Sequence, residues 1–328
     1  MSSPRRPFVV LAGPTHPDGL ALLETEARVV VCDDETEDGF LAVAKEADGL
    51  LFRVRPRSTE SLMAACENLK VVGRHGVGLD TVDIPAATRL GVAVVHAPGS
   101  NAQAVAEHAL MLMLACVKRT LEVDEQTRKG DWTARRVGNT ELAGKTLGII
   151  GVGNIGRRVA KFCGAVGMRV LGYDPYVEPD ELGRRGAEPV DTLEALLREA
   201  DVVTCHTPLT HETHHMINDK TIGLMKPGVI FVNTSRGPVQ EEHALFEALV
   251  RGKVAAAGLD VWEQEPVSAD NPILNLPNVV CSSHVAGVTR EATRNTSLHV
   301  VSEMMRVLRG ERPLVLVNPD VWPRPVTR

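Results

Sequence analysis

Three apolar runs in the C-terminal half of the chain are each followed by polar residues that can do acid–base or anion-binding chemistry. Arg236 follows VIFVNTS, the carboxylates Asp260, Glu263 and Glu265 follow AAAGL, and His284 follows VVCSS. If the runs are parallel strands of one open sheet, their carboxyl ends share the edge at which such sheets bind ligands. His284 is then a candidate proton donor, and the alternative is a histidine packed in the core.

The segment TLGIIGVGNIGRRVAKF has the glycine spacing of a dinucleotide-binding loop, with Gly151, Gly153 and Gly156 between a predicted strand and a predicted helix. The first glycine permits a tight turn, the second lets the backbone approach a pyrophosphate, and the third lets the helix pack on the strand. Free N–H groups at the helix start bind the anion. Asn154 and Ile155 complete the candidate loop.

The next predicted strand, MRVLGYD, ends at Asp174, about 20 residues downstream, as the dinucleotide fingerprint requires. A carboxylate here accepts hydrogen bonds from ribose hydroxyls and repels a 2′-phosphate, so the sequence predicts NAD as the cofactor and not NADP. A Rossmann-like fold without a dinucleotide is the alternative.

Short β-rich runs alternate with helical patterns along both halves of the chain, which predicts an α/β protein with two Rossmann-like doubly wound parallel-sheet domains and an active-site cleft between them. The predicted strands are 8–12, 28–32, 49–54, 70–74, 92–96, 146–150, 168–173, 201–206, 229–233, 255–261 and 279–283. Helices are predicted near 17–25, 37–46, 59–67, 83–90, 155–162 and 289–309.

One long helix is predicted from Ser100 to about Arg128, with Ser100 or Asn101 as its cap. Its middle is apolar on nearly all sides, which indicates burial between domains or subunits. A homodimer is the expected assembly.

Composition excludes several classes of function. The 328 residues suffice for two domains, and the net charge of −6 argues against a nucleic-acid-binding protein. The longest uncharged apolar run, 109–117, is too short to span a bilayer, so no membrane partner is expected. None of the six cysteines forms a C-x-x-C pair, which favours small buried thiols in a reducing, cytoplasmic location.

The chain as a whole resembles the NAD-dependent D-2-hydroxyacid dehydrogenases. The motifs GRHGVGLDTVD, NAQAVAEHAL, GVGNIG, HTPLTHETHHMIN, MKPGVIFVNTSRG, GLDVWEQEP and HVAGVT are close to the signatures of that family, in its order. The resemblance implies a flavodoxin-like substrate domain of residues 1–100 plus 290–328, and an inserted NAD-binding Rossmann domain of residues 101–289. Because the chain stops soon after the substrate domain closes, no appended serine-sensing domain is expected.

The family's catalytic triad carries over onto Arg236, Glu265 and His284. Imidazole titrates near pH 6.5, which suits a general acid that protonates the alkoxide formed from a 2-keto acid. The resemblance makes Glu265 the carboxylate that orients the ring and Arg236 the donor to the substrate. The alternative for Arg236 is a helix cap or a phosphate ligand. The alternative for Glu265 is a solvated turn residue, with Glu263 as the carboxylate that orients the ring.

Further cofactor contacts are implied at the strand ends. Asp260 matches the residue that binds the nicotinamide carboxamide, and the alternative is a simple strand-terminating aspartate. The remaining candidate cofactor residues are His206, Thr207, Pro208, Thr234, Ser235, His284 and Gly287.

The loop GRHGVGLD follows a predicted strand, and its amides at Gly76, Val77 and Gly78 can form an anion nest for a substrate carboxylate; an ordinary tight turn is the alternative. Position 75 departs from the family pattern, because His75 stands where the family has a small residue. The other candidate substrate contacts are Arg53, Arg74, Asn101 and Arg236. For the first three, the alternative is a surface residue whose polar groups are satisfied by water.

The predicted function is interconversion of a small 2-keto acid and its D-2-hydroxy acid, with glyoxylate, hydroxypyruvate and 3-phosphoglycerate as leading substrate types. An NAD(H)-sensing corepressor-like binding protein of the same fold is the alternative. Formate oxidation is disfavoured, because the related formate enzymes carry glutamine where this chain has Glu265. The histidines of HETHH, residues 211–215, lack a complete ligand set, so no metal is expected.

Overall fold

The computed structural model describes residues 5–136 and 138–323. Residues 1–4 and 324–328 of the predicted substrate domain, and Val137 of the predicted NAD-binding domain, lie outside the described residues. The chain divides into two compact units, the first formed by Met1–Asn101 with Val288–Arg328 and the second by Ala102–Gly287.

Within the described residues, parallel strands alternate with helices along the whole chain. The strands are β1 Phe8–Ala12, β2 Arg28–Cys32, β3 Gly49–Phe52, β4 Val71–Arg74, β5 Ala93–Val95, β6 Thr146–Ile150, β7 Arg169–Tyr173, β8 Glu188–Pro189, β9 Val202–Cys205, β10 Val229–Asn233, β11 Val254–Leu259 and β12 Val279–Cys281. The helices are α1 Pro17–Glu24, α2 Glu37–Ala44, α3 Glu60–Ala64, α4 Ile84–Arg89, α5 Ala102–Val117, α6 Thr120–Arg128, α7 Gly156–Ala165, α8 Pro179–Arg184, α9 Leu193–Glu199, α10 Asp219–Leu224, α11 Glu242–Val250 and α12 Arg290–Leu308.

The first unit is a five-stranded parallel sheet in the order β2-β1-β3-β4-β5, which is the flavodoxin-like order. Alternate strand residues enter two apolar clusters, so Val10 and Leu50 pack on one face while Val9 and Leu11 pack on the other. Helix α12 returns from the C-terminal segment to cover the second face, and Thr289 caps it by accepting from the Ala292 amide at 3.0 Å.

The second unit is a seven-stranded parallel sheet in the order β12-β11-β10-β9-β6-β7-β8. The order reverses between β6 and β9, as in the Rossmann fold, and that reversal is where such sheets bind dinucleotides. Apolar clusters again lie on both faces, one containing Phe231 and Leu259 and the other Ile149 and Val232. The predicted fold class, two parallel-sheet α/β domains, is confirmed, and the ends of the predicted strands agree with the structure to about two residues.

The prediction of one helix from Ser100 to Arg128 is wrong. Helix α5 ends at Val117 and α6 begins at Thr120, with Arg119 between them in the left-handed region at φ 47°. The break has a packing reason, because nine residues of α5 are buried whereas α6 buries none. The Ser100 hydroxyl donates to Ala97 O at 2.9 Å and contacts the Thr296 hydroxyl, so it is not the predicted cap.

Candidate active site

Six strands of the second unit end at one edge of the sheet, and each is followed by a residue that can serve a ligand or a reaction. These residues, after β6, β7, β9, β10, β11 and β12 respectively, are Gly151, Asp174, His206, Thr234, Asp260 and Ser282. Because all the strands are parallel, the sequence-predicted cofactor and catalytic residues of this unit come together at its carboxyl edge.

The glycine loop has the geometry that its spacing predicts. Gly151 has φ 87°, and a Cβ there would lie 2.8 Å from His206 O, so only glycine fits the turn. A Cβ at Gly153 would meet nothing within 4 Å, which leaves its backbone open to an approaching group. A Cβ at Gly156 would lie 2.2 Å from Gly151 O, so α7 begins in direct backbone contact with the loop, and Asn154 and Ile155 lie between.

Asp174 lies against the same loop. Its Oδ2 accepts from the Val152 amide at 3.0 Å and its Oδ1 from the Tyr176 amide at 3.1 Å. These two bonds fix the carboxylate beside the glycine turn and leave further lone pairs on both oxygens for hydroxyl donors.

His206 follows β9 beside the candidate cofactor loop. Desolvation lowers the pKa of its ring to about 3, so the imidazole is neutral near neutral pH. Its Nε2 lies 3.1 Å from Thr204 Oγ1 and its Nδ1 lies 3.5 Å from Thr234 Oγ1. The Thr207 hydroxyl is buried and, among the described residues, has no hydrogen-bond partner, which suits a position facing a polar ligand; exposed Pro208 follows it.

His284 is not a core histidine, since its side chain is 47% exposed. Its Nδ1 donates to Glu265 Oε2 at 2.8 Å, and Glu265 Oε1 accepts from the Trp262 amide at 3.1 Å. Burial raises the pKa of Glu265, but the hydrogen bond and charge of His284, the Trp262 amide and Arg236 outweigh burial and leave that pKa below its ordinary value. The pair is therefore a charged carboxylate that orients an accessible imidazole.

The turn that carries Arg236 is built by Asn233, which sequence reasoning did not single out. The fully buried Asn233 amide donates to Arg236 O at 2.9 Å and to Gln240 Oε1 at 3.0 Å, while its oxygen accepts from the Ser235 amide and hydroxyl. Arg236 Nη1 donates to Ser235 O at 2.7 Å. Arg236 precedes a 3₁₀ turn, Gly237–Val239, without a side-chain capping bond, so the helix-cap alternative is not what the structure shows.

Gly237 explains how the arginine turn meets the glutamate loop. A Cβ at Gly237 would lie 1.8 Å from Trp262 O, so only a glycine allows the two backbones to come this close. The segments bearing Arg236 and Glu265 are therefore packed against each other, and the charge of Arg236 acts on the Glu265 carboxyl.

Asp260 is the anchor of the loop that carries His284. Its carboxylate is 1% exposed and accepts from the Val285 amide at 3.0 Å, the Ala286 amide at 2.9 Å and the Ser282 hydroxyl at 2.5 Å. Its own carbonyl accepts from the His284 amide at 2.7 Å. These bonds hold His284 at φ 57°, and Gly287 follows the anchored segment as the last residue of the unit.

Two further residues of this anchor were missed from the sequence. His108 Nε2 on α5 lies 3.0 Å from Ser282 Oγ and 3.6 Å from Asp260 Oδ1. His108 stands in the apolar helix segment and Ser282 in a serine pair, so neither has a local signal of this contact.

Glu263, the predicted competitor of Glu265, points elsewhere. Its Oε1 lies 2.7 Å from His215 Nε2 and accepts from the Glu242 amide at 3.3 Å. His215 belongs to the HETHH cluster, in which the ring centroids of His214 and His215 lie 4.0 Å apart with the rings tilted by 32°. Within residues 5–136 and 138–323, no three His, Cys, Asp or Glu side chains are grouped so as to hold a metal ion.

The first unit places its candidate loop at the carboxyl end of β4. Among the described residues, the amides of Gly76, Val77 and Gly78 donate to no protein acceptor. The three carbonyls of residues 75–77 are all engaged, by Arg74 Nη1, by the Ala97 amide and by His96 Nδ1 respectively. Three successive amides without a protein acceptor are the donors that an anion nest requires.

Arg53 and Arg74 add positive charge to this loop. Desolvation, followed by the charges of Arg53 and Arg74, lowers the pKa of the buried His75 to about 4. Arg53 also donates to Pro14 O at 3.2 Å, in the loop after β1. The predicted substrate residue Asn101 is partly buried, and among the described residues its Oδ1 has no hydrogen-bond partner.

The model of the family described as D-isomer specific 2-hydroxyacid dehydrogenase, NAD binding domain, matches residues 110–286. A hydroxypyruvate reductase of Thermotoga maritima is 39% identical over 88% of this chain and 93% of its own length. The chain belongs to the D-isomer-specific 2-hydroxyacid dehydrogenase family.

Two further proteins are similar to this chain, one in sequence and one in structure. The D-3-phosphoglycerate dehydrogenase of Methanocaldococcus jannaschii is 40% identical over 94% of this chain, which spans only 59% of that relative's length. A D-lactate dehydrogenase from Aquifex aeolicus, solved with NAD and lactic acid, superposes with a TM-score of 0.83 at 31% identity, covering 95% of this chain and 99% of that one.

The second unit is therefore the NAD-binding domain that the family model describes, and NAD is the cofactor that this domain implies. The residues present fit this cofactor, since the open space at Gly153, the Asp174 carboxylate and the unpartnered Thr207 hydroxyl lie at the ends of β6, β7 and β9. Among the described residues, no helix combines the length and apolarity that crossing a lipid bilayer requires.

Proposed function

We propose that this protein is an NAD(H)-dependent oxidoreductase that interconverts a small 2-keto acid and its D-2-hydroxy acid, with His284 as general acid and base. The observation that carries the proposal is the 2.8 Å bond between His284 Nδ1 and Glu265 Oε2, on the same sheet edge as the glycine loop. Membership of the 2-hydroxyacid dehydrogenase family supports the reaction class.

The proton chemistry follows from this pair. NADH supplies the hydride when it is bound. Because Nδ1 donates to the charged Glu265, the second nitrogen of His284, Nε2, is the one that gives a proton to the carbonyl oxygen during reduction and takes it back during oxidation. Arg236 donates to the substrate's carboxylate or carbonyl oxygen through its planar group of N–H donors.

The anion nest at Gly76, Val77 and Gly78 binds the substrate's carboxylate in this proposal. Three unpaired amides and the charges of Arg53 and Arg74 support that role. A carboxylate with two oxygens matches several adjacent N–H donors, and charge-assisted bonds of this kind are the strong ones.

We also propose a homodimer in a cytoplasmic, reducing compartment. Helix α5 supports the first part, since Met111 is 43% exposed and Leu114 is 39% exposed on one apolar patch. Light scattering on a sizing column is expected to give twice the monomer mass, and Leu114→Glu is expected to lower that mass. A parent protein of monomer mass contradicts the dimer.

The six unpaired cysteines support the proposed reducing compartment.

The decisive experiment is a panel of 2-keto acids, including glyoxylate and hydroxypyruvate, assayed for oxidation of NADH and then of NADPH. Turnover with NADH and formation of the D-hydroxy acid, resolved by chiral chromatography, are the expected results. A protein that binds NADH but oxidises none of it with the whole panel would instead be a nucleotide-sensing binding protein.

A further inference from the structure

The Ser297 hydroxyl, in the middle of α12, joins three separate segments of the first unit. It lies 2.7 Å from His75 Nε2, 2.8 Å from Thr15 Oγ1 and 3.2 Å from the His16 amide, and it donates to Thr293 O at 2.8 Å. Two of these contacts come from the loop after β1, one from the loop after β4 and one from its own helix.

The hydrogen-bonding capacity of Ser297 is fully used. A serine hydroxyl has one proton to donate and two lone pairs to accept with, and here four partners surround it. Ser297 is fully buried and His75 is 8% exposed, so bulk water does not reach this contact. Removal of the hydroxyl would leave a buried imidazole nitrogen without its partner, which is the unfavourable case for a hydrogen bond.

The helix cannot shift to avoid this arrangement. A Cβ at Gly19 of α1 would lie 2.6 Å from Ser297 Cβ, so α1 and α12 touch at the level of the hydroxyl. Ser297 therefore holds both loops from a rigid position.

Both loops that Ser297 joins leave the carboxyl edge of their sheet, and the first of them lies at its ligand-binding position. In the strand order β2-β1-β3-β4-β5, the order reverses between β1 and β3, and flavodoxin-like sheets bind ligands outside that point. The 13–16 loop follows β1 directly. The 75–78 loop follows β4 directly and contains the three free amides. His75 is the first residue of that loop, so its orientation sets where the next three amides point.

We propose that Ser297 and His75 are positioning residues which hold the amides of residues 76–78 in the arrangement that binds the carboxylate of a 2-oxo acid. The inference rests on the proposed function, since it concerns the substrate loop of that reaction. His75 acts from inside the unit and does not contact the substrate; its ring stays neutral because burial, Arg53 and Arg74 all oppose its protonation.

Steady-state kinetics tests the proposal. Ser297→Ala and His75→Leu are expected to raise KM for the best 2-keto acid about 3- to 10-fold, the effect of one lost hydrogen bond, with kcat and the KM for NADH little changed. His75→Gln, which restores a donor near the position of Nε2, is expected to bring KM back toward the parent value.

Val301→Ala is the matched control, because Val301 is fully buried on the same helix, in the apolar cluster on this face of the sheet, and makes no side-chain hydrogen bond to the loops. It is expected to lower Tm without raising KM. If Ser297→Ala lowers Tm and keeps the parent KM, as this control does, Ser297 is only structural and the proposal is overturned.

Hydrogen exchange separates this proposal from the proposed function. With NADH and oxamate as the probe, the amides of residues 76–78 are expected to become protected in the parent protein and to lose that protection in Ser297→Ala. Equal protection in both proteins overturns the role of Ser297 whatever the turnover. A parent protein that turns over no 2-keto acid contradicts the proposed function instead.

Discussion

At the scale of single residues, three histidines show how environment decides what an imidazole can do. His284 is exposed and paired with a carboxylate, whereas His206 and His75 are desolvated and have pKa values near 3 and 4. Only the first combines access with an orienting charge, which is what proton transfer to a substrate needs.

Replacing His284 by Ala tests its proposed role. Turnover is expected to fall about 10²–10⁴-fold, the usual contribution of a general acid, while NADH affinity stays nearly intact. The matched control is His243→Ala, since His243 is exposed on α11 and is no part of the site. Stopped-flow rates and NADH fluorescence titration measure both quantities, and normal turnover in the His284 variant would remove it from the chemistry.

Asp174→Asn tests the choice of cofactor more sharply than Asp174→Ala, because asparagine removes the charge but keeps an oxygen for one of the two backbone amides, that of Val152 or that of Tyr176. NAD affinity is expected to fall about tenfold or more, and discrimination against NADP is expected to relax. Calorimetric titration with both nucleotides measures this. A parent protein that already prefers NADP contradicts the ribose argument.

At the scale of elements, the glycines that follow the strands of the second unit have different structural roles. Gly156 and Gly237 are places where backbone touches backbone, and a Cβ would come within 2.2 Å and 1.8 Å of a carbonyl oxygen respectively. Gly153 faces open space and is needed only if a ligand approaches.

A pair of variants separates these roles. Gly153→Val is expected to fold normally and to lose NADH binding, because its side chain occupies the path of the pyrophosphate. Gly156→Ala is expected to lower Tm by several degrees, because its Cβ collides with Gly151 O. Thermal melts and NADH titration of both proteins make the comparison; normal NADH binding by Gly153→Val would mean that the loop does not cradle the dinucleotide.

At the scale of the whole molecule, each unit holds a desolvated, neutral histidine at the carboxyl edge of its sheet. The folded-state pKa values of His75 and His206 are depressed far below the ordinary 6.5 of histidine. The unfolded chain therefore binds more protons than the folded chain below pH 6.5, so acid favours unfolding.

The free energy of unfolding is expected to fall as the pH drops from 7 to 5, by about 2 kcal/mol for His75 alone, with His206 acting in the same direction. The lowered pKa of Glu265 adds its loss only at lower pH, below the ordinary range of a carboxyl group. Urea unfolding of the parent and of His75→Gln at both pH values measures the difference. The variant should lose less on acidification, and an equal loss would show that the folded His75 can take up a proton.

Several parts of the candidate site could be predicted from the sequence because they follow from local patterns. Apolar runs followed by glycine or polar residues predicted the strands and the carboxyl edge, and this was confirmed at β6, β10 and β12. The glycine spacing likewise predicted the close contact at Gly156. Family membership, recognised from motifs such as HVAGVT, was also confirmed.

Other parts had no local signal. The break of the predicted long helix at Arg119 arises because α5 packs in the core and α6 does not, a difference that periodicity alone did not reveal. The contacts of Asn233, of Ser282 with His108, and of Ser297 with His75 join groups whose partners are chosen by the packed fold.

The sequence by itself determined the class of fold and the family, and it predicted the cofactor loop and the residues proposed to transfer a proton, because strand periodicity, turn chemistry and motif spacing act over a few neighbouring residues. Only the tertiary structure decided which carboxylate faces His284, which amides stay free and which histidines lose their charge. Those properties depend on distance, burial and hydrogen bonds between residues as far apart as 75 and 297, and they exist only once the chain has packed.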